Sequence, residues 1–303
     1  MSNDDMAFRP STYKDLVPQL SSALKSFQSS QSKFRVLQSI TPGSRTPHPP
    51  KAPSESPKTL IILDSSFNPP SIAHQTLAQS ALSQIQQDGP FRLLLLFSTM
   101  NADKAPSAAS FDQRLTLMTI FAGDLLQTLQ TPVPIDIGLT TAPYYTDKSL
   151  AISQTPEGHS YYPSQPKHIH LIGFDTLTRF FNPKYYSKFS PPLSALNPFF
   201  EAGHSLRVTL RPDDDYGTIS DQKAFLQRLE NGELEAEGGK REWAKQVVLV
   251  DPNPKAGVSS TRIRKAAKAG DWDVVGELCT EGVREWVKSE GLYAEDDRGS
   301  KMA

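Results

Sequence analysis

Two short stretches carry the residue types best suited to chemistry. Residues 65 to 74 read S-S-F-N-P-P-S-I-A-H, and residues 258 to 264 read V-S-S-T-R-I-R. In the first, Asn68-Pro69-Pro70 forces a turn, Ser71 can cap a helix, and His74 falls in that helix's first turn. A histidine at a helix start is ordinarily a cap or a surface residue. Here it follows the apolar run Leu60, Ile61, Ile62 and Leu63, the pattern of a strand buried on both faces. A buried strand, a tight loop and a helix start together make an anion site, because backbone N–H groups and the helix dipole both face the loop. In the second stretch Ser259, Ser260 and Thr261 put three hydroxyls in a row, and Arg264 follows one turn later. One hydroxyl suffices for a cap, whereas three with an arginine suit phosphate oxygens.

Two further loops leave predicted strands. S-T-M-N-A-D-K holds Asn101, Asp103 and Lys104, with Arg114 in the helix beyond; taken alone, such a charged loop reads as solvated surface. Gly173-Phe174-Asp175 fits two readings, a close ligand approach with an acceptor for a ribose or an amide, or an ordinary N-cap by Asp175. Arg211 ends the strand V-T-L-R and adds a cation at the same edge. His168 and His170 alternate along a strand and so face one side. They lack a third ligand nearby in sequence, and we read them as structural, with no protein-held metal. Cys279 lies in a helical tail and reads as core.

The elements that must position these loops alternate. Strands are predicted at 60–63, 91–97, 135–139, 168–173, 205–211 and 246–250. Helices are predicted at 71–86, at 110–129, from Tyr145, and through 259–290. Strand and helix in turn give the α/β class, a Rossmann-like doubly wound parallel sheet with a C-terminal helical tail. Ligands bind such sheets at the C-terminal ends of the strands, where all four loops fall. Before this domain, Tyr13, Leu16, Leu20, Leu24 and Phe27 predict an edge-packed helix near 12–30. The Pro- and Ser-rich stretch 43–58 predicts a linker or extended strap. The expected division is 1–57 for helix and linker, 58–293 for the domain, and 294–303 for a disordered tail. Removing residues 1 to 42 is expected to leave the chemistry intact.

The 303-residue chain has 32 Lys and Arg against 33 Asp and Glu, so no net field draws it to nucleic acid or acidic lipid. Its one cysteine excludes an intrachain disulfide and fits a reducing compartment. The longest apolar runs, such as Leu93 to Phe97, are too short for a bilayer, and M-S-N-D-D-M is unlike a secretory or transit signal. The expectation is a cytosolic or nuclear protein without membrane or nucleic-acid partners, its oligomeric state left open.

Taken together, S-F-N-P-P-S-I-A-H and V-S-S-T-R-I-R resemble the first and last motifs of the nucleotidylyltransferase superfamily. The chain is most similar there to the nicotinamide-nucleotide adenylyltransferase family, fungal branch, across about residues 58 to 293. S-T-M-N-A-D-K, Y-T-D-K-S-L, G-F-D-T-L-T-R-F-F-N-P-K-Y-Y, V-T-L-R-P and G-V-R-E-W-V-K-S-E-G-L-Y follow in the family's order. The resemblance implies adenylyl transfer from ATP to nicotinamide mononucleotide, or its acid form, giving NAD and pyrophosphate. It makes His74, Ser71, Lys104 and Arg264 the catalytic group. It implies ATP contacts from Ser65, Ser66, Phe67 and His74, with Gly173 and Asp175 on the adenosine or ribose. Ser259, Ser260, Thr261 and Arg264 would take the β- and γ-phosphates. The mononucleotide would meet Asn101, Lys104, Arg114 and Arg211, with an aromatic from Phe180 to Tyr186 stacked on its ring. Mg²⁺ would arrive on the ATP phosphates with mostly water ligands. Three positions depart from the family pattern: Ser65 stands for a glycine, Ser71 for a threonine, and Tyr186 for a tryptophan. Two other readings remain, another transferase such as a cytidylyltransferase-like enzyme, and an ATP-binding or ATP-hydrolysing protein acting through partners.

Overall fold

The computed structural model describes residues 11–44, 47–84, 89–99, 109–154, 160–211, 216–252 and 259–294. The chain opens with α1 (Ser11–Lys14), α2 (Leu16–Gln28) and β1 (Phe34–Ile40). Then follow β2 (Thr59–Asp64), α3 (Ile72–Gln84), β3 (Phe91–Ser98), α4 (Phe111–Thr128), β4 (Ile135–Thr140) and α5 (Tyr145–Ser153). The second half holds β5 (Lys167–Gly173), α6 (Phe174–Phe180), α7 (Asn197–Glu201), β6 (Ser205–Thr209), α8 (Ile219–Glu230) and β7 (Val247–Val250). Three helices close it, α9 (Ser260–Ala269), α10 (Trp272–Leu278) and α11 (Glu281–Ser289).

The strands form one sheet in the order β1-β4-β3-β2-β5-β6-β7. All neighbours run parallel except β1, which pairs antiparallel with β4. The order reverses direction between β2 and β5, so the crevice at their C-terminal ends is the topological switch point where such sheets bind ligands. Along β2 the pleat sends Leu60 and Ile62 to one face and Ile61 and Leu63 to the other. Both faces are covered, which is why the strand reads as an unbroken apolar run. On one side α2, α4 and the tail helices pack, with Trp286 fully buried and donating its indole N–H to Gln113 Oε1 at 3.0 Å.

The N-terminal segment differs from expectation. The predicted helix divides into α1 and α2, and Leu20 and Phe27 sit in the main core rather than on its rim. Residues 34–40, which sequence reasoning left without an element, are the seventh strand. A register shift between Val36 and Gln38 breaks its alternation. The strand is also tied in by a buried polar cluster. Asp136 accepts from Ser39 Oγ (2.6 Å), Tyr162 OH (2.7 Å) and Arg92 Nε (2.8 Å). The Pro-rich stretch runs as a strap along this edge, with His48 bridged to Ser39 and the Lys51 carbonyl accepting from Tyr161 OH. The tail is three helices rather than one, because Gly270 turns left-handed at φ 72° and Asp271 caps the next helix through the Val274 N–H. Among the described residues no helix is long and apolar enough to cross a membrane.

Candidate active site

The loop after β2 is built from the inside out. Ser65 N–H donates to the Leu96 carbonyl at 3.2 Å, which extends the β2–β3 pairing by one residue. Phe67 takes a left-handed backbone (φ 44°) and buries its ring completely. Arg114 reaches back from the first turns of α4 and donates Nε–H to the Ser66 carbonyl at 2.9 Å. Its guanidinium lies 4.5 Å from the Phe97 ring centre and 5.3 Å from that of Phe111. Burial pulls its pKa down to about 10, so the charge is kept near neutral pH. Arg114 thus fixes the turn, and it also lines the adjoining cavity.

His74 is held by both ring nitrogens. Ser71 N–H donates to Nδ1 at 3.0 Å, and the Ser71 hydroxyl lies 2.8 Å from the same atom. The ring therefore caps the backbone that its own helix start leaves unpaired, while the Ser71 hydroxyl turns to the ring. An Nδ1 that accepts places the proton on Nε2, and Nε2 lies 2.8 Å from Ser65 Oγ. Burial lowers the imidazole pKa to about 4, so the neutral tautomer prevails near pH 7.

The start of α9 is seated on the same loop. Ser259 caps the helix by accepting from Arg262 N–H at 3.3 Å. Ser260 Oγ donates to the Pro69 carbonyl at 2.8 Å, and Arg264 Nη1 donates to the Asn68 carbonyl at 2.8 Å. Arg264 Nη2 also donates to Thr261 Oγ1 at 3.2 Å. Tyr293, unforeseen from the sequence, donates its hydroxyl to Asn68 Oδ1 at 2.9 Å. Two helix N-termini, nearly two hundred residues apart in the chain, thereby converge on residues 68 and 69.

Beside them opens a cavity of about 510 Å³. One wall is aromatic, with Tyr144, Tyr145, Phe180, Tyr185 and Tyr186. Tyr144 and Tyr186 have ring centres 6.0 Å apart, and Tyr186 is anchored through its hydroxyl to the Phe180 carbonyl at 2.9 Å. Where β2 ends and α5 begins, Lys148 forms a buried ion pair with Asp64. Sequence reasoning did not single out this pair. Its signal was a carboxylate closing an apolar strand and a lysine in the first turn of a helix on the same sheet edge.

The third loop resolves the open alternative at Asp175. Gly173, not Asp175, is the N-cap of α6, and Asp175 pairs with Arg211 at 3.6 Å. A Cβ on Gly173 would lie 2.6 Å from Asp175 Oδ1, so the glycine admits the carboxylate. Asn101, Asp103 and Lys104 lie outside the described residues. His168 and His170 are fully buried with His204 stacked on His168 at 4.0 Å, and among the described residues no group of His, Cys, Asp and Glu is placed to hold a metal. Cys279 is buried in the core as expected.

The strand order, the switch-point cavity and the two helix starts seated on one loop define a Rossmann-like doubly wound α/β domain with a ligand site at the switch point. No protein-family model matches the chain. Over 235 residues, 77% of this chain and 85% of the relative, it is 29% identical to the Schizosaccharomyces pombe protein named "Putative nicotinamide mononucleotide adenylyltransferase". Among solved structures it is similar to Plasmodium falciparum nicotinic acid mononucleotide adenylyltransferase complexed with NaAD. That likeness has 14% identity and a TM-score of 0.49, covering 79% of this chain and 98% of that one. A Vibrio parahaemolyticus protein titled "Putative Nicotinate-nucleotide Adenylyltransferase" is similar at 18% identity and a TM-score of 0.35, over 79% and 97% of the two chains. Within that class the chain is similar to the fungal Schizosaccharomyces pombe protein over most of both chains.

Proposed function

We propose that this chain transfers the adenylyl group of ATP to nicotinamide mononucleotide, or to its acid form, releasing pyrophosphate. The observation that carries this reading is the seating of the α9 start on the Asn68–Pro69 loop, beside His74. It joins two helix N-termini and their side-chain donors into one receptor for a triphosphate. In this reading a phosphate oxygen of the mononucleotide attacks the α-phosphorus of ATP in line, and the bond to the β-phosphate oxygen breaks. The electron pair leaves with pyrophosphate, and the protein forms no covalent bond.

What remains for the protein is alignment and charge neutralisation. His74 offers Nε2–H to a phosphoryl oxygen and, being neutral, acts as a donor rather than a counter-ion. Arg264 supplies fixed positive charge from one side and Arg114 from the other, with its orientation set by the loop it clasps. Asp64 is the one carboxylate lining the cavity among the described residues, and it is engaged by Lys148. Mg²⁺ would therefore come with the substrate, held by ATP oxygens and water. The tyrosine-lined wall suits a flat pyridine ring, and Asp175 suits a ribose hydroxyl.

The test is incubation of the pure protein with Mg-ATP and a panel of mononucleotides, followed by chromatography of the products. Formation of NAD or its acid analogue is expected, and a panel that yields no pyridine dinucleotide overturns the reading. We further place the enzyme in the cytosol or nucleus, on the strength of a single cysteine, which fits a reducing compartment. Imaging of the tagged chain checks this, and an organelle or surface signal would contradict it.

A further inference from the structure

Among the ion pairs of the described residues, Asp64–Lys148 is the one that lines the cavity. Both side chains are less than a tenth exposed, at 8% and 7%. They form the cavity wall between the end of β2 and the first turn of α5. Taking two charges out of water is costly, and their attraction rarely does more than offset it. As a stabilising device the pair is poor, so its position in the wall calls for another explanation.

Its surroundings supply one. Lys148 Nζ lies 4.9 Å from the centre of the Tyr145 ring, on the aromatic side of the cavity. The tyrosines and the pair line one cavity, so a flat ring stacked among the former would bring a substituent up to the latter. Building on the adenylyltransferase reading, we propose that Asp64 and Lys148 read the substituent of the pyridine ring and select the carboxamide over the carboxylate.

The chemistry is that of matched donors and acceptors. A carboxamide has an oxygen that accepts and an N–H that donates. Lys148 can donate to the first and Asp64 accept from the second, leaving the wall neutral and every group paired. A carboxylate only accepts. The Lys148 charge is already answered by Asp64, and the acid substituent would set a second negative charge against Asp64 in a wall that excludes water. Two other cations line the cavity: Arg179 lies at the exposed rim, where solvent screens it, and Arg114 is turned onto the Ser66 carbonyl. Sites built to hydrogen-bond a group discriminate strongly against an analogue that leaves buried polar atoms unpaired.

The experiment compares kcat/KM for nicotinamide mononucleotide and nicotinic acid mononucleotide. The wild-type chain should favour the amide by about 100-fold. Asp64→Asn, which can donate to a carboxylate as well as accept, should bring the two within about tenfold, with the change carried by the KM of the mononucleotide. Melting curves check that the variant folds. If it does not, Asp64→Leu combined with Lys148→Met removes both charges and must also erase most of the preference. Equal use of the two substrates by the wild type, a preference for the acid, or an unchanged ratio in a folded variant would each overturn the inference while leaving the transferase reading in place. Failure to form either dinucleotide overturns both.

Discussion

Ser65 Oγ lies 2.8 Å from His74 Nε2, so the serine that replaces the motif glycine occupies the proton-bearing atom of the loop's histidine. The Ser71 N–H on Nδ1 fixes that tautomer. His74→Ala is expected to lower kcat by about 100-fold or more, the scale of losing one oxyanion donor, with the fold retained by circular dichroism. Unchanged turnover would make His74 only a cap. Ser65→Gly releases Nε2–H for ATP, and the KM for ATP should fall severalfold with kcat within about threefold.

Acid should unfold the protein through its buried histidines. Burial lowers the pKa of His74 and His204 to about 4 and holds those of His168 and His170 well below the usual value. Groups of this kind bind protons more readily when unfolded, so their contribution is fully present above pH 6.5 and is lost as pH falls toward 4. Asp124 works the other way, since burial raises its carboxyl to about 6. Four groups oppose one, and the melting temperature should drop steeply between pH 6.5 and 4. His204→Gln should flatten that slope; a melting temperature flat over this range would contradict the assignment. Activity should show no inflection between pH 6 and 7 from His74, because its titration lies lower.

Arg114 holds the loop from behind. Arg114→Leu removes a charge-assisted bond to the Ser66 carbonyl and should cost about 2 kcal/mol in urea unfolding. The KM for ATP should rise at least tenfold as the turn loosens. Arg114→Lys keeps a charge but not the planar fork, and should recover little of either. Full recovery by lysine would mean that charge alone matters there.

The N-terminal segment is structural. Removing residues 1 to 42 takes out β1 and the buried faces of Leu20 and Phe27, and should yield insoluble or molten protein rather than an active core. Asp136→Ala should be equally revealing, since it leaves the Arg92 charge buried and unpaired, a change worth about 3–5 kcal/mol. Circular dichroism and denaturant titration read both outcomes. A soluble, active truncation would return the segment to the periphery that sequence reasoning assigned it.

Much of the sheet was legible because parallel strands bury both faces. Ile61 to Leu63 and Leu93 to Leu96 are unbroken apolar runs for that reason. β1 was not legible, since its bulge shifts the period and its polar Ser39 finds a partner, Asp136, about a hundred residues later. The site divides in the same way. His74 and the hydroxyls of 259–261 announce themselves through local spacing at helix starts. Asp64 and Lys148 are 84 positions apart, and nothing local marks either as part of a cavity. Asp175 illustrates a third case, where the local rule for capping gave way to the charge of Arg211, two residues past the end of β6.

The bond from Ser260 to the Pro69 carbonyl spans 191 positions, and that from Tyr293 to Asn68 spans 225. During synthesis the first loop leaves the ribosome long before either partner exists. A nascent chain can lay down β2, β3 and β4 and still lack half of the proposed phosphate receptor. In the proposed reading, competence to bind ATP then arrives only once α9 has been made. Premature termination anywhere before α9 would release a chain that carries the histidine motif and yet has no clamp to close on it.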